Sequence, residues 1–257
     1  MKKKAICILI LLISFLSCIE EKISYTPQEI RDKSITSMQK VKTYSFSTIG
    51  KLVIPRLTIT TKEEGVIDLF SKKAHSNLMI SLLGMKFNFE IYTTQDYEYI
   101  LSSIGKGWVK SRLPKGEWNR KSPIVLLSLL KKPDLSLKGL EKVDNRKCYI
   151  LEAKISRAEF EPYLKRQIHY FSLIGMDVRT LAKVYDNLDE GYIREYIATD
   201  DFTLRRVDFL LHGKINGDPI NFEISINLKD YNRGFKIELP KDAMNAKTIE
   251  DNYGIFY

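Results

Sequence analysis

The sequence predicts an α+β fold in which one antiparallel sheet of about ten or eleven strands curls around a few helices. Three observations carry this. Thr26-Pro27-Gln28-Glu29 opens a helix before any sheet begins. From Thr43 onward, apolar and polar residues alternate with period two over most of the chain. Short turns separate most of the alternating runs and no crossover helices do, so neighbouring strands are expected to pair antiparallel as a meander.

Ahead of these elements, Lys2, Lys3 and Lys4 precede an apolar run from Ala5 to Leu16, the small Ser17 and then Cys18, the layout of a signal peptide. A membrane-spanning helix needs about 20 apolar residues for roughly 30 Å of hydrocarbon, whereas Glu20 and Glu21 close this run early. Phe15-Leu16-Ser17-Cys18 resembles the lipobox of prokaryotic lipoproteins, with Phe15 where that motif has a small aliphatic residue. The resemblance implies a diacylglycerol on the Cys18 thiol and cleavage on its amino side. Residues 1–17 are then the signal peptide, 18–24 a tether and 25–257 a single domain at the outer face of the cytoplasmic membrane. Two or three acyl chains make a durable anchor, because each buried CH₂ contributes about 0.8 kcal/mol and one chain holds only reversibly. An ordinary signal peptide with a chance cysteine and an uncleaved anchor are the alternatives.

Thr26 is placed to cap the amide of Glu29, and Pro27 occupies the first helical position, where its missing N–H costs nothing. Ile30, Ile35, Met38 and Val41 give this helix an apolar stripe, and it is expected to end near Lys42. Strands follow at Thr43-Tyr44-Ser45-Phe46, Leu57–Phe70, Lys73–Ile80, around Phe87, Phe89 and Ile91, and at Tyr97–Ser103 and Trp108–Arg112. Later ones are Leu135–Val143, Lys147–Ile155, Tyr192–Thr199, Phe202–Ile215, Ile220–Asp230 and Phe235–Leu239. Asp200-Asp201 and Asn216-Gly217-Asp218-Pro219 punctuate hairpins. Two helices interrupt the meander: one capped by Ser122 before Pro123, and one over Glu159–Ile174 that must begin near Glu161 to tolerate Pro162. Asp177 to Leu188 continues the second as a lid or extra turn.

Without residues 1–17 the chain loses three lysines and no acid, so its formal charge falls from +9 to +6. A basic surface is drawn to anionic headgroups nearby. Basic residues alternate with acids, as in Lys62-Glu63-Glu64 and Lys229-Asp230, which disfavours nucleic acid as a partner. Of Cys7, Cys18 and Cys148, only the last stays a free thiol, and it is expected to pack as a small hydrophobe.

Nothing in the chain reads as catalytic or as needing a cofactor. His75, His169 and His212 lack metal-ligand spacing, and no G-x-S-x-G, phosphate-binding glycine run or CxxC occurs. Asp186-Asn187-Leu188-Asp189-Glu190-Gly191 has Leu188 where a calcium loop needs an oxygen ligand, so it reads as a polar turn. Glu63/Glu64 and Asp200/Asp201 are adjacent pairs that a strand would send to opposite faces.

Three phrases, in their order and spacing, resemble the LolA/LppX-like lipoprotein-carrier superfamily. They are the Thr26–Val41 helix leading into Lys42-Thr43-Tyr44-Ser45-Phe46, the Tyr97-Glu98-Tyr99-Ile100 strand turning into Gly107-Trp108-Val109-Lys110, and the closing Leu239-Pro240-Lys241-Asp242-Ala243. The resemblance implies an open, strongly curved half-barrel whose concave face holds acyl chains or a lipid. Phe46, Phe87, Phe89, Leu126, Leu130 and Phe171 are the candidate ligand-binding residues of that face, and Leu78, Ile80, Leu82 and Leu83 are further cover. A filled core without a cavity, serving a sensory or protein-interaction role, is the other reading.

Overall fold

A computed structural model describes residues 24–249. The expected signal peptide, Cys18 and most of the tether lie outside the described residues. The first helix, α1 (Pro27–Met38), begins as the sequence requires: Glu29 N–H donates to Thr26 Oγ1 at 3.2 Å, and Thr26 N–H donates back to the Glu29 carboxylate at 2.7 Å. It buries Ile30, Ser34 and Met38, one residue per turn. It stops short of Lys42 because that residue is already bound to the sheet: its N–H donates to Asn232 Oδ1 and its carbonyl accepts from Leu69 N–H, both at 2.8 Å.

Six strands then run as an antiparallel meander: β1 (Thr43–Ile54), β2 (Leu57–Asp68), β3 (Lys73–Leu82), β4 (Met85–Thr93), β5 (Tyr97–Ser102) and β6 (Trp108–Arg112). A 3₁₀ turn (Glu117–Lys121) and α2 (Pro123–Ser128) follow, with Ser122 capping α2 through the Ile124 amide. The second meander begins with β7 (Ser136–Val143) and β8 (Arg146–Ile155), breaks for α3 (Arg157–Leu173) and α4 (Val178–Asp186), and resumes with β9 (Leu188–Ala198), β10 (Leu204–Ile215) and β11 (Asp218–Lys229). The short α5 (Lys241–Met244) and β12 (Lys247–Thr248) complete the described chain.

All these strands form one curved 12-stranded sheet in the order β12-β6-β5-β4-β3-β2-β1-β11-β10-β9-β8-β7. The two meanders meet where β1 pairs antiparallel with β11, from Ser45↔Lys229 to Val53↔Asn221. Two-residue turns with positive φ at both positions, Leu83-Gly84, Asp144-Asn145 and Asn216-Gly217, match the twist of the hairpins they close.

Several expectations need correction. Phe235–Leu239 is not a strand, although it alternates; the chain leaving β11 must cross β1 to β5 to reach β6, and a segment running across strands cannot pair with them. At the far edge β12 adds the one parallel pairing among the described residues, Lys247↔Val109. Helix α3 starts four residues before Glu161, because Ser156 and Glu159 form a capping box of their own: Ser156 N–H reaches the Glu159 carboxylate at 2.9 Å. Pro162 therefore sits inside the helix, and the carbonyl it cannot serve belongs to Ala158, on an exposed turn open to water.

Residues 177–188 do not continue α3. Gly175, at φ 81°, ends that helix with Met176 N–H donating to Phe171 O and Gly175 N–H to Ser172 O, and Asp177 caps α4 through the amides of Arg179 and Thr180. The supposed polar turn at 186–191 shrinks to Asn187, since Leu188 already pairs with Gly213. Leu83 covers nothing from within; it is 72% exposed at its turn.

Side chains alternate between a convex face and a concave face that the helices cover. On the concave side, Phe160, Leu164, Ile168 and Phe171 of α3 are buried, and Phe160 packs on Phe209 and Phe222 with ring centroids 4.9 and 5.6 Å apart. Cys148 lies on the other face, buried with Val143, Tyr196 and Ala198, where burial pushes its thiol pKa up. It packs as the small hydrophobe the sequence suggests.

Candidate ligand cleft

The cover over the concave face is incomplete between α3 and the segment 117–126. Tyr44, Phe46 and Thr48 of β1 point into this gap, flanked by Ile67 of β2 and by Ile224, Ile226 and Leu228 of β11. Cross-strand pairing puts them together: Phe46 stands opposite Gly65 on one side and Leu228 on the other. The glycine is what lets the Phe46 ring lie down. A Cβ at position 65 would come within 2.9 Å of that ring and 2.5 Å of the His75 carbonyl.

Leu126, Pro162 and Tyr163 form the roof, and the enclosed volume is about 130 Å³. The Tyr44 hydroxyl donates to the Lys121 carbonyl, tying the 3₁₀ turn to the sheet. A broader trough of about 640 Å³ on the convex side is open and lined by polar groups such as Lys62, Glu64, Asn77 and Glu90. It has neither the apolar wall nor the enclosure of the concave cleft.

The rim of the cleft is charged. Glu63, buried on β2, accepts from Ser76 Oγ at 2.8 Å and faces the Arg166 guanidinium at 3.5 Å. Arg166 Nε donates to the Tyr170 hydroxyl at 3.1 Å, which donates to Glu98 at 3.1 Å, and His169 Nε2 stands 3.9 Å from the same carboxylate. This relay fixes how α3 sits on β2 and β5; removing one partner of a buried pair costs far more than the pair contributes. Across the rim, Glu117 pairs with Arg120 at 3.2 Å. Lys121 has the Trp118 ring 5.7 Å away, and burial, with Arg166 next, pulls its pKa down to about 8. Burial raises the Tyr163 phenol, and the charge of Glu195 adds to this.

Of the six residues nominated from sequence, Phe46 and Leu126 line the cleft. Phe87 and Phe89 lie further along the concave face on β4, opposite Ile80 and Leu78. Leu130 is fully buried where Arg31 of α1 reaches its carbonyl at 3.4 Å, and Phe171 is buried on the inner side of α3. The polar rim was not anticipated, since it joins residues of five separate elements. The apolar period of Ile220, Phe222, Ile224, Ile226 and Leu228 was a usable signal for the wall.

The three histidines stay apart: His75 stacks on Tyr92 at 4.3 Å, His169 is buried on the inner side of α3, and His212 meets Asn221 on an exposed stretch of β10. Among the described residues no group of three or more His, Cys, Asp or Glu could hold a metal ion. Glu63 and Glu64 do face opposite sides, whereas Asp200 and Asp201, in a turn, share the Arg146 guanidinium at 2.5 and 2.8 Å. No helix among the described residues is long and apolar enough to cross a membrane.

No family model matches the chain, and no curated protein matches it in sequence. Solved structures do. The lipoprotein LppX of Mycobacterium tuberculosis aligns with a TM-score of 0.52 at 11% identity, over 82% of this chain and 98% of LppX. LprF of Mycobacterium bovis aligns with a TM-score of 0.48 at 12% identity, over 83% of this chain and 96% of LprF. The chain shares the fold of LppX, with the open, curved sheet that the resemblance of the three sequence phrases implies.

Proposed function

We propose that this protein is a non-enzymatic lipoprotein, held by acyl chains on Cys18 at the outer face of the cytoplasmic membrane, that binds a lipid or another hydrophobic ligand on its concave face. In this reading residues 1–17 are a signal peptide, 18–24 a tether and 25–257 the binding domain. The observation that carries it is the apolar wall of Phe46, Ile67, Ile224, Ile226 and Leu228, left only partly roofed by Leu126 and Tyr163. The lipoprotein named among the structural neighbours agrees with the reading of Cys18.

At about 130 Å³ the cleft is well below the roughly 300 Å³ at which small-molecule pockets begin, so the ligand enters as α3 and the 117–128 segment lift. The same small volume favours a second reading, a filled-core module that binds another envelope component. Native mass spectrometry of the full chain extracted in mild detergent separates them. The carrier reading expects a lipid-sized adduct; bare protein in every preparation, with no uptake of a fluorescent fatty acid, leaves the filled-core module. For the anchor, Cys18→Ala is expected to abolish acylation and to release or stall the precursor. A cleaved product of that variant still retained on membranes would refute the tether.

A further inference from the structure

The cleft holds two hydrogen-bond donors that the protein does not use. Both carboxylates that line it are already engaged, Glu63 with Arg166 at 3.5 Å and Glu117 with Arg120 at 3.2 Å. Lys121 lines the same space with no carboxylate in ion-pair contact among the described residues: the Trp118 face lies at 5.7 Å, and Glu98, Glu63 and Glu117 act on it only from a distance. Tyr163 also lines the cleft, and its hydroxyl is buried at the base of the roof with no hydrogen-bond partner among the described residues. A buried hydroxyl left unmatched costs about 1–3 kcal/mol, and an ammonium short of a counter-ion costs more. Such groups beside an apolar wall are complementary to an anion that carries a hydrocarbon chain.

We infer that the ligand is an anionic amphiphile: its chain lies along Phe46, Ile226 and Leu126, and its carboxylate or phosphate head accepts from Lys121 Nζ and the Tyr163 hydroxyl. This rests on the hydrophobic-ligand reading above and narrows it to a ligand class. The lowered Lys121 pKa agrees: burial and the Arg166 charge outweigh the more distant Glu98, Glu63 and Glu117 and pull it down to about 8. Lys121 is also fixed in place, since its own carbonyl is bound by Tyr44.

The test is a fluorescence titration of the full chain in amphipol with cis-parinaric acid and with its methyl ester, two probes of one chain length that differ in charge. The acid is expected to bind about tenfold more tightly, the scale of one charge-assisted hydrogen bond. Lys121→Met is expected to bring the affinity for the acid down toward that for the ester, and Lys121→Arg to keep the preference. Tyr163→Phe is expected to weaken acid binding severalfold while leaving the melting temperature unchanged or higher, because it deletes a hydroxyl that has no partner. Equal affinity for acid and ester in the native chain overturns the inference and leaves the hydrophobic-ligand reading standing. Failure of both probes to bind overturns that reading as well. Displacement of the acid by millimolar inorganic phosphate alone would mark a free-anion site and overturn the amphiphile.

Discussion

Glu195 sits on the concave side of β9 between Leu151 of β8 and Val207 of β10, with 0% exposure and no hydrogen-bond partner for either carboxylate oxygen among the described residues. Burial pushes its pKa from an ordinary 4.5 up to about 8, so it is protonated in the folded protein at neutral pH. The sign follows from proton counting. Below pH 4.5 the folded and unfolded chains both hold the proton; between 4.5 and 8 only the folded chain does, so stability declines as pH rises. Each pH unit costs about 1.4 kcal/mol, which places the full loss at no more than about 5 kcal/mol by pH 8. Glu195→Gln keeps the shape and cannot ionise. Urea unfolding of the full chain in mild detergent, followed by circular dichroism at pH 5, 6, 7 and 8, is expected to give matching stabilities at pH 5 and a growing advantage for the variant above it. Parallel pH slopes for the two proteins would refute the reasoning, because they require Glu195 to be ionised and matched.

Three other outcomes follow from packing. Gly65→Ala is expected to destabilise the fold by about 1–3 kcal/mol and to weaken ligand uptake, since the new Cβ must displace the Phe46 ring and a backbone carbonyl; a thermal melt beside a probe titration reads both effects. Phe160→Ala is expected to cost about 3–5 kcal/mol in urea unfolding, because the ring is fully buried against Phe209 and Phe222. Pro162→Ala is expected to raise the melting temperature, as it restores a helical N–H and removes a residue about 3 kcal/mol poorer than alanine in a helix interior. An unchanged or lower melt would mean that Pro162 shapes the cleft roof.

Much of the fold was legible because local chemistry decides it. The Thr26 capping box, the Ser122 cap and the Asn216-Gly217 turn act within a few residues, and each appears where the sequence puts it. Misreadings came where two local rules competed or where topology overrode them. Pro162 argued for a late helix start, but the Ser156–Glu159 box outweighed one lost hydrogen bond on an exposed turn. Phe235–Leu239 has a strand's alternation and no neighbour to pair with. The cleft was half readable. Phe46 and Leu126 are conspicuous apolar residues, whereas the roles of Lys121, Tyr163 and Arg166 depend on α3 lying across β2, a contact between residues some 100 positions apart in sequence.

The pairing of β1 with β11 also sets an order of assembly. Strands β1 to β6 follow one another in sequence and can zip by local contacts, as can the hairpin of β7 and β8. The seam at the middle of the sheet instead joins residues 45–53 to 221–229, so it cannot close until nearly the whole chain has emerged. Until then β1 is a long naked edge, able to recruit strands from other molecules. A chain cut short before Asp218 would keep that edge for good, so such a truncation is expected to aggregate and not to form a smaller folded unit. The last long hairpin therefore acts as the closure of the molecule, and the period before it forms is when a nascent chain most needs a chaperone.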